Sequence, residues 1–302
     1  IIEKKLDEPL SDPSILPTFL LSKFAKEHVK VVLSGDGADE LFCGYAPFKA
    51  VNYLGLLSLI PKKVGIKISS ILERTPSKDS YMSYHFLLKH ASRGFGYPDY
   101  QQVFRWMSPL SNQNINSLLS KDYLESYDMI NFWQELLYKK ENNKLNLTDL
   151  LSKLFIDFYL PNDILTKVDR ASMYNGLEVR SPFLSKSILS FAQSLPNKYK
   201  LSNNNTKLIL RQLSINKLPT NISKRKKHGF AIPLAKMIRG PLKERITDTL
   251  LSSSYPISNY FNKPELNKLL TNHFNGIDNR KPIWAIYMLY KNTERLSKLN
   301  KY

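Results

Sequence analysis

Apolar positions along the chain follow two different periodicities. Residues 29–33 (VKVVL) form a short β-rich run that ends at a Ser-Gly pair, a pattern typical of a buried strand. Before it, residues 15–27 have helical spacing, with Ser14 as the expected N-cap and Pro17 in the first turn. After Leu33 the spacing is helical almost throughout. It predicts further helices at 47–59, 79–91, 127–140, 148–160, 163–175, 184–195, 205–216, 241–253, 262–273 and 281–298.

This order of elements predicts an α/β fold. Residues 1–60 are expected to hold the end of a parallel sheet, and residues 61–302 a predominantly helical region. One strand cannot form a sheet by itself. Its partners must be absent from this chain, be supplied by another chain, or be weak strands that the pattern does not reveal. No internal repeat, low-complexity tract or clear linker divides the chain.

Composition narrows the class of protein. Hydrophobic residues make up 42% and charged residues 23%, an ordinary globular balance, and no apolar run approaches the roughly 18–20 residues of a membrane-spanning helix. The net charge of +18 would suit a nucleic-acid-binding protein. However, no basic and aromatic recognition motif accompanies it, and a solvated basic surface is the favoured interpretation. A single cysteine, Cys43, excludes an intrachain disulfide and fits a cytoplasmic location.

The first candidate site is the segment 34–45, with the sequence SGDGADELFCGY. Two glycines directly after a strand allow a tight turn and close approach of a ligand to the backbone, and the N-terminus of the following helix suits a phosphate. The carboxylates of Asp36, Asp39 and Glu40 would repel one another unless a cation lies there, and Mg²⁺ bridging to nucleotide phosphates is the natural candidate. The alternative is a helix start whose acidic residues only complement the helix dipole.

A second candidate begins with a helix predicted to start at Asn162 or Asp163. On that helix Asp163, Lys167 and Arg170 would share one face. The alternative is an ordinary amphipathic helix with solvent-exposed ion pairs, each worth about 0–1 kcal/mol, and the charge pattern alone favours this alternative.

Further along, Glu178 and Arg180 are separated by one residue and stand shortly before Pro182. The position before a proline favours extended backbone, and in an extended chain the side chains of Glu178 and Arg180 point to the same side. The sequence therefore predicts a charged pair on one face of an extended segment.

A third candidate is the segment 223–233, SKRKKHGFAIP, in which four cations stand beside a glycine. The alternative is a basic surface loop or a nucleic-acid-binding patch. Upstream, Lys207 and Arg211 are four residues apart, and their spacing is compatible with either a phosphate-binding or a structural role.

Together the three segments resemble the C-terminal domain of asparagine synthetases. Segment 34–45 is similar to that family's strand followed by S-G-[DE]-G-[AS]-D-E-[LV]-F-G-G-Y, with Cys43 where the family usually has glycine. The patterns LxKxDRxSM…LExRxPFL and RxKxGFxxP are similar to its second and third blocks, in the same order. The family's usual Asp after Phe-Leu is Ser185 here. The resemblance extends from about residue 7 to 233.

The resemblance implies an adenine nucleotide α-hydrolase-like sheet and a two-step reaction. ATP activates a carboxylate, usually the aspartate side chain, as an acyl-AMP with release of pyrophosphate, and glutamine-derived ammonia then forms the amide. It assigns Mg²⁺ binding to Asp39 and Glu40; nucleotide or pyrophosphate binding to Ser34, Gly35, Gly37, Lys207 and Arg225; substrate binding to Asp36, Tyr45, Asp169 and Arg170; and catalysis to Lys227, Glu178 and Arg180. Lys227 would stabilise charge at the reacting centre.

Two elements of the family are not found in this sequence, the S-G-G-x-D-S pyrophosphate loop and a glutaminase domain that begins with cysteine. We expect both to be supplied in cis or in trans, and the 302-residue chain alone to make no acyl-AMP. A sugar or peptide carboxylate as the substrate, an inactive helical binding module and a basic nucleic-acid-binding relative are the alternatives. A homodimer is compatible with the sequence, and no membrane association is expected.

Overall fold

A computed structural model describes residues 2–4, 6–76, 83–126, 138, 141, 145–202, 205–223 and 229–299. The helix predicted at 127–140 and the first residues of the one predicted at 79–91 lie outside the described residues, as do Arg225 and Lys227.

The chain is mainly helical in its first half. Its elements up to residue 126 are a 3-10 helix at Ile2–Lys4, α1 Ile15–Lys26, β1 Val31–Leu33, α2 Ala38–Leu41, α3 Ala46–Lys49, α4 Val51–Ser58, α5 Lys62–Glu73, α6 Tyr84–Ser92, α7 Asp99–Met107, α8 Asn112–Leu118 and α9 Lys121–Ser126. The predicted helix at 47–59 is present but interrupted at Ala50. Helices α5, α7, α8 and α9 were not predicted.

Helices also dominate the second half. Its elements are α10 Leu147–Leu154, a π-helix at Phe155–Leu165, α11 Thr166–Met173, β2 Glu178–Arg180, a 3-10 helix at Pro182–Leu184, α12 Lys186–Ser194, a 3-10 helix at Asn197–Tyr199, α13 Leu208–Lys217, α14 Thr220–Ser223, α15 Leu234–Arg239, α16 Lys243–Leu251, a 3-10 helix at Ser258–Tyr260, α17 Lys263–Phe274 and α18 Arg280–Leu299. The predictions for α12, α13, α16, α17 and α18 are confirmed within a few residues. None of the helices described is long and apolar enough to cross a membrane.

Two compact units make up the fold, and both are discontinuous in sequence. The sheet unit comprises Ser14–Leu56 and Leu136–Phe230, and the helical unit comprises Ile1–Pro13, Leu57–Glu135 and Ala231–Tyr302. Both strands, and every described residue assigned to the candidate site, lie in the sheet unit.

Strand β1 pairs in parallel with β2, and Val31, Val32 and Leu33 lie opposite Glu178, Val179 and Arg180. The partner of β1 is therefore a weak strand within the chain itself, which confirms the last of the three alternatives. The prediction that β1 is buried is wrong, because the Leu33 side chain is 73% exposed and Val31 is also exposed. Within the described residues the sheet has only these two strands, and no described element covers those side chains.

A continuous helical segment runs from α10 through the π-helix into α11, past Pro161. Asn162 and Asp163 therefore do not begin a helix, and the expected break between 160 and 163 is wrong. An α-helix would place the proline ring against the carbonyl four residues earlier, whereas the wider π-helix accommodates it. The side chains of Asn162 and Thr166 donate to the carbonyls of Phe158 and Pro161, at 2.8 Å each.

A small apolar core lies beneath the segment that follows β1. Leu41, Phe42 and Ala192 are buried at its centre, and the Phe42 ring packs edge-on against Phe183 at 6.1 Å. Partly buried side chains surround them: Ile156, Phe183, Ile188, Leu189, Leu195, Ile209 and Leu210. This packing fixes the short helix α2 against the segment after β2 and so determines the geometry of the candidate site.

In the helical unit, α18 carries several large buried side chains. Trp284, Tyr287 and Tyr290 on this helix are all buried. The Tyr287 hydroxyl donates to Glu3 at 2.9 Å, and Glu3 also pairs with Arg245. These contacts attach the 3-10 helix at Ile2–Lys4 to α16 and α18.

Candidate functional site

The candidate site begins where the carboxyl ends of β1 and β2 lie side by side. The backbone N–H of Ser34 donates to the carbonyl of Arg180 at 2.8 Å, which extends the ladder by one residue. As a result the hydroxyl oxygens of Ser34 and Ser181 are 2.9 Å apart, and the Ser34 hydroxyl donates to Asp36 Oδ2 at 2.7 Å. Ser181 was not predicted as a site residue. Only the register of the two strands places it beside Ser34.

The turn after β1 depends on its glycines in two ways. Gly37 has φ 90°, a conformation that disfavours other residues, and a Cβ at this position would overlap the side chain of Leu184. By contrast, apart from the two neighbouring residues, no atom of the described part of the chain lies within 4 Å of the place where a Gly35 Cβ would be. The backbone at Gly35 is thus open to a ligand, while Gly37 allows the turn into α2.

An ion pair connects Lys207 with Asp39 at 2.9 Å, and both side chains are about one-quarter exposed. Gly44 lies against this pair, and a Cβ at Gly44 would overlap Asp39 Oδ1 and Lys207 Cε. The structure therefore brings together a residue predicted to bind phosphate and a residue predicted to bind Mg²⁺.

Two non-glycine residues, Lys207 of this ion pair and Cys43, have left-handed backbone. Cys43 has φ 54° and Lys207 has φ 55°, and the Lys207 N–H donates to the carbonyl of Phe42 at 3.1 Å. Such conformations cost about 1–3 kcal/mol each and are concentrated at functional sites. Cys43 is fully buried, and burial raises the pKa of its thiol to about 12. The thiol is therefore protonated at neutral pH and is not a nucleophile.

Glu40 points away from solvent and is only 1% exposed. Its carboxylate accepts a hydrogen bond from Tyr45, its carbonyl accepts one from Ser152 at 2.8 Å, and burial raises the pKa of the carboxyl. The Tyr45 ring packs against Phe155 and Tyr159 of the π-helix at 5.0 and 5.6 Å. Burial and the nearby Glu40 carboxylate also raise the pKa of Tyr45.

These contacts bear on the predicted metal ligands. Among the described residues, no group of three or more His, Cys, Asp or Glu side chains is placed to hold a metal ion. Asp39 is partly exposed and its carboxylate already contacts a cation, so it fits the donor type that Mg²⁺ prefers. Glu40 is buried and hydrogen-bonded by Tyr45, an environment that favours a structural role.

The four remaining site residues that the structure describes form two exposed ion pairs. Arg170 lies 2.8 Å from Asp169 on α11, and Arg180 Nε lies 2.7 Å from Glu178 Oε1 on β2. The expectation that Glu178 and Arg180 share one face of an extended segment is confirmed. Exposed pairs of this kind add little stability, so their side chains can exchange partners at low cost.

These features define an α/β protein whose candidate site lies at the carboxyl edge of parallel strands, the usual position of ligand sites in such folds. Comparison with known families is more specific. The chain belongs to the asparagine synthase family, whose model matches residues 2–293.

Curated relatives agree with this membership. The chain is 30% identical over 296 residues to "Asparagine synthetase [glutamine-hydrolyzing] 1" of Bacillus subtilis, a match that covers 93% of this chain and 43% of the relative. It is 29% identical over 300 residues to "Putative asparagine synthetase [glutamine-hydrolyzing]" of Mycobacterium tuberculosis H37Rv, covering 94% and 42%. The chain thus spans about two fifths of the length of these relatives. No solved structure gives a significant match.

Proposed function

We propose that this chain carries the C-terminal part of an ATP-dependent asparagine synthetase. In this proposal aspartate is activated as an acyl-AMP and converted to asparagine by ammonia derived from glutamine. The observation that supports it most directly is the cluster of Ser34, Asp36 and Ser181 at the carboxyl edge of the sheet, in a chain of this family.

The nucleotide and the substrate would bind around the turn after β1. The open backbone at Gly35 and the Ser34 hydroxyl would border the adenylate. Asp36, oriented by Ser34, would hold the amino group of aspartate as a counter-charge. Arg180, the last residue of β2, and Glu178, which pairs with it, would contact the reacting groups.

Mg²⁺ fits Asp39 better than Glu40. Mg²⁺ is usually held by one or two carboxylates together with substrate phosphates, and it would neutralise part of the triphosphate charge. Asp39 is accessible and lies beside the cation of Lys207, which would contact the phosphates in the same place. Arg225 and Lys227, from the basic segment 223–233, would stabilise charge that develops during adenylation.

Exposed apolar side chains support the proposal that a further segment completes the site. Strands in parallel sheets are normally covered on both faces, yet Leu33 of β1 is 73% exposed. On α1, Leu20 and Phe24 are 65% and 61% exposed. A segment that carries the pyrophosphate loop, in cis or in trans, would cover such exposed side chains, and a glutaminase domain would supply the ammonia.

The test is aspartate-dependent exchange of pyrophosphate into ATP. We expect no exchange with the 302-residue chain alone, and exchange when the chain is joined to the sequence encoded upstream of Ile1 or mixed with a complementing chain. Exchange with a sugar or peptide carboxylate, but not with aspartate, would identify a different amidotransferase. A completed protein that binds ATP and exchanges with no carboxylate would refute the synthetase function and favour a binding module.

A further inference from the structure

A cleft in the helical unit collects charged side chains that the proposed synthetase site does not use. It lies between α6 and the start of α18, and it is lined mainly by Phe86, His90, Arg93, Asp278, Arg280 and Lys281. The cavity volume is about 10 Å³, which is enough for one water molecule or for one oxygen atom of a larger group.

Positive charge is in excess around this cleft. The cations are Lys89, Arg93, Arg280 and Lys281, and the anions that face them are Glu73, Asp278 and, from the N-terminal segment, Asp12. Lys89, Arg93 and Asp278 are buried and the other four groups are partly buried, and in such surroundings an uncompensated charge is costly.

The excess charge is located at Lys281. Arg93 pairs with Glu73 at 2.6 Å, Arg280 pairs with Asp278 at 2.8 Å, and the Lys89 ammonium donates to the Asp278 carbonyl at 3.1 Å. Lys281, in contrast, makes neither a hydrogen bond nor an ion pair within the described part of the chain.

The ammonium of Lys281 lies 5.5 Å from the centre of the Phe86 ring. Burial and the neighbouring Arg93 lower the pKa of Lys281 to about 8. Asp278 and Asp12 lie near enough to act on Lys281 electrostatically, but no carboxylate of the described residues contacts its ammonium directly, which leaves room for a negatively charged ligand.

His90 supplies a complementary hydrogen-bond acceptor. The residue is 9% exposed, and its ring packs against Phe86 with centroids 4.0 Å apart. Nδ1 must donate to the carbonyl of Phe86 at 2.9 Å, because a carbonyl only accepts. Burial, Lys281 and Arg93 lower the pKa of His90 well below its ordinary value, so Nε2 is an unprotonated acceptor, and it has no hydrogen-bond partner among the described residues.

We propose that this cleft binds a small oxyanion that carries both a charged oxygen and a hydroxyl proton, as hydrogen phosphate does. A charged oxygen would accept from the Lys281 ammonium, and the P–OH group would donate to His90 Nε2. One oxygen enters the cleft, and the others remain at its mouth. A water molecule satisfies His90 but not the charge of Lys281, whereas chloride satisfies the charge but cannot donate a hydrogen bond.

The test is calorimetric titration of the 302-residue chain with inorganic phosphate, sulfate and chloride. The titrations are made near pH 7 at constant ionic strength. Phosphate should bind more tightly than sulfate, which carries no proton at this pH, and chloride should bind weakest. Glycerol phosphate serves as a second probe. If it binds as tightly as inorganic phosphate, the site accepts phosphate monoesters, and if it does not bind, the site takes the free ion.

Two variants test whether phosphate binds in this cleft. Lys281→Met should weaken phosphate binding at least about tenfold, the effect of losing a charge-assisted hydrogen bond. Lys268→Met is the matched control, because Lys268 is 65% exposed in the same unit and pairs only with Glu265 among the described contacts. His90→Phe should remove the preference for phosphate over sulfate. Equal binding in the Lys281 and Lys268 variants, or phosphate binding no tighter than chloride, would overturn the proposal.

A measurement on the unmodified chain avoids any dependence on folding of the variants. Acetic anhydride acetylates lysine side chains at pH 8. The rate of acetylation of Lys281 is measured by mass spectrometry of the peptide that contains it. Phosphate should slow this modification several-fold without changing that of Lys268. An unchanged rate at Lys281 in saturating phosphate would contradict the proposed site.

Discussion

Lys207 and Asp39 form an ion pair of 2.9 Å that crosses directly over Gly44. The residue predicted to bind phosphate thus neutralises the carboxylate predicted to bind Mg²⁺. Both side chains are partly exposed. When a magnesium–phosphate complex binds, Asp39 would exchange the Lys207 ammonium for Mg²⁺, and Lys207 would exchange the Asp39 carboxylate for a phosphate. The neighbouring Glu40 is buried and bonded to Tyr45, which makes the two adjacent acids separable by experiment.

In the completed synthetase, Asp39→Asn should raise the Mg²⁺ concentration needed for half-maximal exchange by about tenfold or more, since a ligand of the cation loses its charge. Glu40→Gln should leave that concentration unchanged, because the amide oxygen still accepts from Tyr45. The measurement is pyrophosphate exchange as a function of Mg²⁺.

Lys207→Met is the control for the broken ion pair. It should raise the KM for ATP while leaving the Mg²⁺ requirement near that of the unmodified protein. If the Glu40 variant, rather than the Asp39 variant, loses its response to Mg²⁺, the assignment of the ligand is wrong.

Gly44→Ala should destabilise the sheet unit by more than about 2 kcal/mol, because its Cβ would overlap both members of the ion pair. Gly35→Ala is the matched control and should change stability by less than about 1 kcal/mol, since its Cβ would meet no described residue beyond its chain neighbours within 4 Å. Urea denaturation gives both values. Equal losses in the two variants would mean that Gly44 has no special packing role.

The free energy of unfolding of Cys43→Gly should exceed that of Cys43→Ala by about 1 kcal/mol. At most positions the alanine variant is the more stable of the two, so this order would be reversed. Both variants lose the buried sulfur, but only glycine relieves the left-handed backbone at φ 54°. Thermal and urea unfolding of the two variants provide the comparison. A more stable alanine variant would show that the backbone there is not strained.

Stability should rise between about pH 8 and pH 10.5 because of Lys281. Its pKa is about 8 in the folded chain, against an ordinary value of 10.5. Below pH 8 both states carry the charge and its full cost is present; as the pH rises through the window, the folded chain loses the proton first and gains stability relative to the unfolded chain.

Lys281→Met should reduce this rise, leaving the part that comes from Lys89, whose pKa burial also lowers, and should increase stability at pH 7 by about 1–3 kcal/mol. Lys268→Met should retain the rise, since Lys268 is largely exposed. Denaturation midpoints at several pH values, in buffers without phosphate, give the slopes. Identical slopes in both variants would exclude Lys281 as their source.

The sequence revealed which segments carry the site motifs, but it did not reveal how the fold places these segments next to one another. The glycines, acids and hydroxyl of segment 34–45 follow a recognisable strand, and the alternation at Glu178 and Arg180 indicated an extended segment. Ser181 was missed because its role arises only from the parallel register of two three-residue strands far apart in sequence. No local pattern encodes such a register.

The π-helix and α5 show a second kind of limit. Pro161 normally marks a helix boundary, and only the wider turns of Phe155–Leu165, supported by side-chain bonds to the backbone, carry the helix past it. Helix α5 contains Gly65, which weakens its helical signal, and the close contact of Gly65 with the backbone of Phe95 is a tertiary feature.

The parallel pairing of β1 with β2 also has a consequence for the order of folding. Val31 and Glu178 are partners, although 178 − 31 = 147 positions separate them in the chain. During synthesis β1 leaves the ribosome long before β2 exists, and contacts of such high sequence separation form slowly. Throughout that interval an apolar strand with two unpaired edges is open to aggregation. The folding yield of this protein should therefore depend on how quickly the distant half of its sheet is made.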